Sequence, residues 1–289
     1  MNAVKCLFTL TTQQKSVEQL AKNTRNDASN DASNDALGVN QPSIVKRKMN
    51  MFARSLLVAL LVMPSMTIAA DGASHHKNPY ECRSIHDLNG IGKFYMDREI
   101  AQVMGPGGMA WLERDTREAE EQSTTLLDAL QIKAGETVVD FGAGSGYFTF
   151  RLAKLVRPHG SVLAVDIEPK MLMFIRKRAV RENLTNVGLI QATETDPKLP
   201  IGRVDLVLMV DVYHELNFPY EVMSKIRAAL KPGGRVALVE YRKEDPAVMI
   251  KAVHKMSEEQ IVKEMSAVGL KHVTTIETLP LQHLAIFIK

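Results

Sequence analysis

From residue 136 onward the chain alternates between two hydrophobic periods. Short, nearly continuous runs of Val, Leu, Ile and Ala occupy 138–141, 162–165, 187–190, 204–210 and 236–239. Runs of that length without polar alternation predict parallel strands covered on both faces. Between them, over 147–156, 169–183 and 219–230, apolar residues recur at helical spacing. Pro169 suits the first turn of its helix, and Met171, Leu172, Ile175 and Ala179 form the inner stripe. Arg176, Lys177, Arg178 and Arg181 then read as that helix's solvated face. Near the end, Ser257-Glu258-Glu259-Gln260 is a capping box opening a helix to about 268, which Gly269 stops. Two further strands, 270–277 and 281–288, are joined by a short turn around Pro280. The pattern predicts an α/β, doubly wound, mostly parallel sheet closed by a hairpin.

Upstream the pattern is less regular. Residues 80–111 are rich in Gly and aromatics, with a short helix expected over 97–104. A longer helix is expected over 114–130, with Ala119, Leu126, Leu127 and Leu130 on its apolar stripe. Residues 71–135 therefore read as a helical lead-in to the domain at 136–289. Residues 1–48 differ again: Asn26-Asp27-Ala28-Ser29 repeats at 30–33 and degenerately at 34–37, a composition that reads as disordered. Lys46-Arg47-Lys48 and Arg54 then precede an apolar run from Leu56 to Ile68, which ends in Ala69-Ala70. That order predicts a signal peptide over 49–70 and a periplasmic or secreted product, with no stable membrane span after cleavage. The run is shorter than the ~20 residues of a spanning helix, and an uncleaved anchor is the alternative. A signal peptide so far from Met1 suggests that translation begins at Met49 or Met51 and that 1–48 are not translated.

Charge narrows the partners. The formal net charge of +3 comes from the first seventy residues; residues 71–289 carry 28 basic against 29 acidic side chains. A near-neutral body gives no electrostatic reason to expect a nucleic-acid partner. His75-His76 has no further ligands at useful spacing, and no metal site is expected.

The chemistry concentrates where the strand 138–141 runs into Gly142-Ala143-Gly144-Ser145-Gly146 and then a helix. A strand, a tight turn and a helix N-terminus present backbone N–H groups to a ligand. The G-x-G-x-G spacing differs from the dinucleotide fingerprint, which disfavours an NAD-dependent oxidoreductase. Asp140 lies two residues before the first glycine, and Asp166 ends the second strand, 20 residues beyond Gly146. Lys231-Pro232-Gly233-Gly234 forms a turn before the fifth strand. In these features, and in its closing hairpin, the stretch 136–289 resembles the class I S-adenosylmethionine (SAM) dependent methyltransferases, of the small-molecule, quinone-biosynthesis-like type.

The resemblance implies a Rossmann-like, seven-stranded sheet with an antiparallel last strand, SAM as cofactor, and a small-molecule acceptor. It implies that Gly142, Gly144 and Gly146 admit the methionyl part of SAM, with Asp140 helping to orient its ammonium. Asp166 would accept both ribose hydroxyls, and Ile167 would lie against the adenine. Where relatives often place an acid for the adenine amino group, this chain has Thr193 and then Glu194; one of them takes that role, or the contact is absent. Asp211 and His214 follow the fourth strand, at the edge facing the transferable methyl. His214 is a candidate general base, tuned by Asp211, Tyr213 or Glu215; the alternative is a histidine that only caps or packs. Tyr95 and Trp111 are candidate pocket walls, or else pack a small subdomain. The competing functional expectation is an exported protein of this fold that binds without catalysing.

Overall fold

The computed structural model describes residues 78–289. The repeat and the expected signal peptide lie outside the described residues. The described chain opens with three short antiparallel strands, β1 (Tyr80–Cys82), β2 (Gly90–Tyr95) and β3 (Arg98–Ala101). The helix expected over 97–104 is therefore a strand. Met96 and Asp97 both take positive φ, 49° and 72°, as a two-residue hairpin turn requires. Aspartate tolerates that conformation, and the strand buries Ile100 and Ala101.

Three helices follow: α1 (Met109–Leu112), α2 (Arg117–Glu121) and α3 (Ser123–Leu130). The single helix expected over 114–130 is broken at Gln122, whose φ is 50°. On a continuous helix, Arg117 and Glu121 would face away from Leu126 and Leu130. The break lets both pairs be buried at once.

The main sheet contains β4 (Thr137–Phe141), β5 (Ser161–Asp166), β6 (Val187–Gln191), β7 (Val204–Val210), β8 (Leu230–Arg242), β10 (Lys271–Ile276) and β11 (Gln282–Ile288). Their spatial order is β10-β11-β8-β7-β4-β5-β6, and a two-residue β9 (Lys255–Met256) pairs with β8. The strands from β8 through β6 are parallel, and β11 runs antiparallel to both β8 and β10. This is the seven-stranded, doubly wound sheet with an antiparallel last strand. β8 begins earlier than its apolar run, because Lys231-Pro232-Gly233-Gly234 forms an irregularity within the β7 pairing.

Helices α4 (Thr149–Leu155), α5 (Pro169–Arg181), α6 (Pro219–Ala229) and α7 (Glu258–Ala267) cover the sheet. Alternate residues of each strand enter opposite layers, as the strand period of two dictates. Val139, Val207, Leu238 and Phe287 pack with Met223 of α6 and Met265 of α7. Their neighbours Val138, Leu206, Val239 and Leu284 pack with Leu126 of α3 and Leu152 of α4.

The N-terminal sheet is tied to this core by buried polar contacts. Arg98 donates from Nε and Nη2 to the two carboxylate oxygens of Glu264 on α7, at 2.7 and 2.9 Å. Lys93 Nζ lies 3.3 Å from the Phe218 ring centroid. The C-terminal edge of the parallel strands is where open α/β sheets bind ligands.

Candidate cofactor and acceptor site

Beyond the C-terminal ends of β4, β5, β7 and β8 lies a cavity of about 550 Å³, within the range of small-molecule sites. Its floor is the glycine turn. Gly142, Gly144 and Gly146 have φ of 72°, 52° and 83°, values that L side chains rarely adopt. Gly142 and Ala143 donate their amides to the Val165 carbonyl, at 2.8 and 3.0 Å, which locks the turn against β5. Gly144 N donates to Asp166 Oδ2 at 2.8 Å, so the turn and the strand-end acid form one unit.

Gly142 and Gly144 line the cavity, whereas Gly146 and Asp140 stand outside the lining. A Cβ at Gly146 would meet Phe150 Cε2 at 2.6 Å, so this glycine permits close packing of the following helix. Asp140 is buried and accepts a hydrogen bond from Thr149 Oγ1, tying the end of β4 to the start of α4. Burial raises its carboxyl to about 6.

Asp166 accepts Glu168 N on Oδ1 at 2.8 Å and Gly144 N on Oδ2. Each oxygen keeps a lone-pair direction for a further donor. Burial pushes its pKa up, against the backbone bonds that lower it. Ile167 is 39% exposed and lines the cavity beside Ala192, Thr193 and Glu194. Glu194 Oε1 accepts from Asn217 Nδ2 at 3.0 Å. Trp111 of α1 is also part of the wall. Tyr95 is instead fully buried, against Tyr80 in the N-terminal sheet.

Two polar clusters face the cavity, and the sequence disclosed only part of each. In one, Arg117 Nε donates to Glu121 Oε2 at 2.9 Å, while Glu121 Oε1 accepts Arg114 Nη2 at 2.6 Å and the Tyr241 hydroxyl at 3.2 Å. Asp211, at a φ of 53°, takes Gln282 Nε2 on Oδ2 at 2.8 Å, and its buried Oδ1 has no protein partner. Burial, then the charges of Glu121 and Glu240, hold the Asp211 carboxyl well above the usual carboxylate range. A buried, half-satisfied acid on a cavity wall is a candidate for ligand binding.

The second cluster surrounds His214, which lies in a single 3-10 turn, Tyr213–Glu215, after β7. His214 Nδ1–H donates at 2.5 Å to Oε2 of Glu240, a fully buried residue near the end of β8. That bond fixes the ring and leaves Nε2 as an acceptor. His254 Nδ1 is 3.0 Å from that Nε2. Burial first, and then His214, pushes His254 down to about 4. His254 is thus neutral near pH 7, and its Nδ1–H donates to His214. Glu215 completes the group, its Oε2 accepting Met104 N at 3.1 Å; burial raises its carboxyl. His214 is accordingly a buried, oriented imidazole on the cavity wall, held on one nitrogen by Glu240 and on the other by His254.

The same region of the chain is similar to known proteins. A family described as a methyltransferase domain matches residues 132–279. The chain is 30% identical over 165 residues to an uncharacterized 37.1 kDa protein in transposon TN4556 of Streptomyces fradiae, covering 53% of this chain and 47% of that protein. It is also 30% identical over 122 residues to the ubiquinone/menaquinone biosynthesis C-methyltransferase UbiE of Pseudomonas fluorescens (strain Pf0-1), covering 42% of this chain and 48% of that one. The chain thus spans about half the length of these curated relatives. In fold it is similar to a SAM-dependent methyltransferase from Aquifex aeolicus, with a TM-score of 0.60 at 23% identity over 64% of this chain and 98% of that one.

Proposed function

Because the chain belongs to the class I SAM-dependent methyltransferases, we propose that it transfers the methyl group of SAM to a small-molecule acceptor held at the His214 end of the cavity. The observation that carries this reading is the union of the glycine turn with Asp166, through the Gly144 amide, on the floor of one cavity whose wall also holds His214. The likeness to a quinone-biosynthesis enzyme supports a small acceptor methylated at oxygen or carbon.

The donor set fits the cofactor. The free lone pairs of Asp166 suit the two ribose hydroxyls, and Ile167 and Ala192 offer an apolar seat for the adenine. Thr193 and Glu194 are at hand for its amino group. Arg117 beside Glu121 and Asp211 is a cation between acids, which complements the carboxylate and ammonium of an amino acid. An ammonium there would draw Asp211 back toward its ionised form. SAM supplies a methyl on a sulfonium whose leaving group is neutral.

The chain's residues therefore contribute mainly alignment, which can account for roughly 7–11 kcal/mol of a barrier. A proton released by the acceptor has a relay to follow: it enters at His254 Nε2 while the His254 Nδ1 proton passes to His214 Nε2, with Glu240 stabilising the imidazolium. The signal-like stretch 49–70 adds the proposal that this chemistry takes place after export. Titration calorimetry of the full chain with SAM tests the cofactor half of the reading. One site per chain, competed by S-adenosylhomocysteine, is expected, and absence of binding would overturn it.

A further inference from the structure

His214, Glu215 and His254 have a geometric relation that a proton acceptor alone does not require. His214 Nε2 and His254 Nδ1 are 3.0 Å apart, and each stands off Glu215 Oε1, by 3.8 and 3.7 Å respectively. The point equidistant from the three atoms is about 2 Å from each, the bond length that a transition metal makes to imidazole nitrogen and carboxylate oxygen. Each of these residues borders the cavity. We propose that His214, Glu215 and His254 form a site for one divalent first-row transition metal, with its remaining coordination positions open to the cavity.

The surroundings are those of a built site. The His214 nitrogen that does not face the cluster is held by the buried Glu240 carboxylate, the arrangement that orients ligating histidines and raises their basicity. The second oxygen of Glu215 is held by Met104 N. Two of the three ligands are thus pre-aimed by partners on β8 and on the segment after β3. Metal binding asks only that the Nδ1 proton of His254 move to its other nitrogen. Two imidazoles and one carboxylate are a donor set suited to Zn(II), Fe(II) and Co(II), more than to Mg(II) or Ca(II).

The role of this metal in catalysis, unlike the site itself, rests on the methyltransferase reading. An acceptor hydroxyl or thiol bound at an open position would lose its proton to solvent. Its oxygen or sulfur would then form the bond to the methyl carbon, while the electrons of the sulfur–methyl bond return to the cofactor's sulfur. Metal binding occupies the His214 Nε2 that would otherwise receive the proton, so base and ligand are alternative uses of one atom. The acceptor class this favours is a protic oxygen or sulfur compound, as opposed to an unactivated carbon.

The test is a titration of the untagged full chain, stripped with a chelator, using Co(II) as the probe and visible absorption as the readout. Expected is saturation at about one equivalent with ligand-field bands of a nitrogen and oxygen site, abolished by Zn(II). His254→Ala and Glu215→Gln should each weaken cobalt binding by at least about 100-fold, and Glu240→Gln by about 10-fold, with unchanged circular dichroism. Absence of the bands, or His254→Ala and Glu215→Gln proteins that bind as the wild type does, would overturn the site. Neither result depends on SAM: calorimetry with SAM on the stripped chain reports on the cofactor site separately.

Discussion

Replacing Asp166 by alanine should damage cofactor binding by an amount the structure allows to be estimated. The carboxylate is half-buried at the end of β5, and each oxygen already accepts one backbone amide. Asp166 lines the cavity beside the glycine turn, where its remaining lone pairs can accept from a ligand. A hydrogen bond to a charged group contributes about 1.5–3 kcal/mol, so two ribose hydroxyls lost together correspond to about 3–6 kcal/mol. At about 1.4 kcal/mol per tenfold, SAM affinity should fall by roughly 100-fold or more. Asp166→Asn keeps one carbonyl acceptor and should fall between the two. Calorimetry on protein of unaltered circular dichroism is the assay. An Asp166→Ala protein that binds SAM within about threefold of the wild type would refute the ribose assignment. There is also a pH signature. Because burial raises the Asp166 carboxyl, its accepting, ionised form should be lost at a higher pH than for an exposed aspartate, and SAM affinity should decline early on acidification.

Three further outcomes follow from the same contacts. Asp140 is raised to about 6, so the folded state binds its proton more tightly than the unfolded state, and its stabilising effect is full below the unfolded value and lost as pH rises through 6. Urea unfolding should show the stability of the wild type relative to Asp140→Asn falling by on the order of 2–3 kcal/mol between pH 4 and pH 7; a flat difference would contradict it. Glu264→Gln leaves the buried Arg98 guanidinium without its carboxylate and should cost about 3–5 kcal/mol in the same assay, a loss that Arg98→Met combined with it should partly restore. Trp111 is the single tryptophan of the chain and borders the cavity at 48% exposure, so SAM should change its emission; an unchanged spectrum at saturating SAM would remove α1 from the site.

The parts of the molecule legible in the sequence are those whose determinants are local. Val204–Val210 reads as a strand because both its faces are apolar, and the structure buries both. Asp166 and the glycine turn are legible because a single β4-α4-β5 unit places them 20 residues apart. The hairpin at Met96-Asp97 escaped notice because its turn lacks the Asn-Gly or Asp-Gly pair that signals it. The break at Gln122 was hidden because it is driven by a tertiary demand, the burial of Arg117 and Glu121, that helix periodicity does not express.

The acceptor end was the least legible. His214 meets Glu240 across 26 residues and His254 across 40, because β7 and β8 are neighbours in the sheet and β9 returns to pair with β8. Gln282 likewise reaches Asp211 across 71 residues, through the antiparallel β11. No spacing rule predicts such groupings; the strand order does.

Methyl transfer itself is the most direct test. The full chain should be incubated with SAM carrying a deuterated methyl group and fractions of small metabolites, and the products read by mass spectrometry. Expected is a small molecule that gains one labelled methyl in step with S-adenosylhomocysteine release, with both signals lost in His214→Ala. A chain that binds SAM yet labels no metabolite, releasing no S-adenosylhomocysteine, would contradict the claim of catalysis and leave a binding protein of this fold.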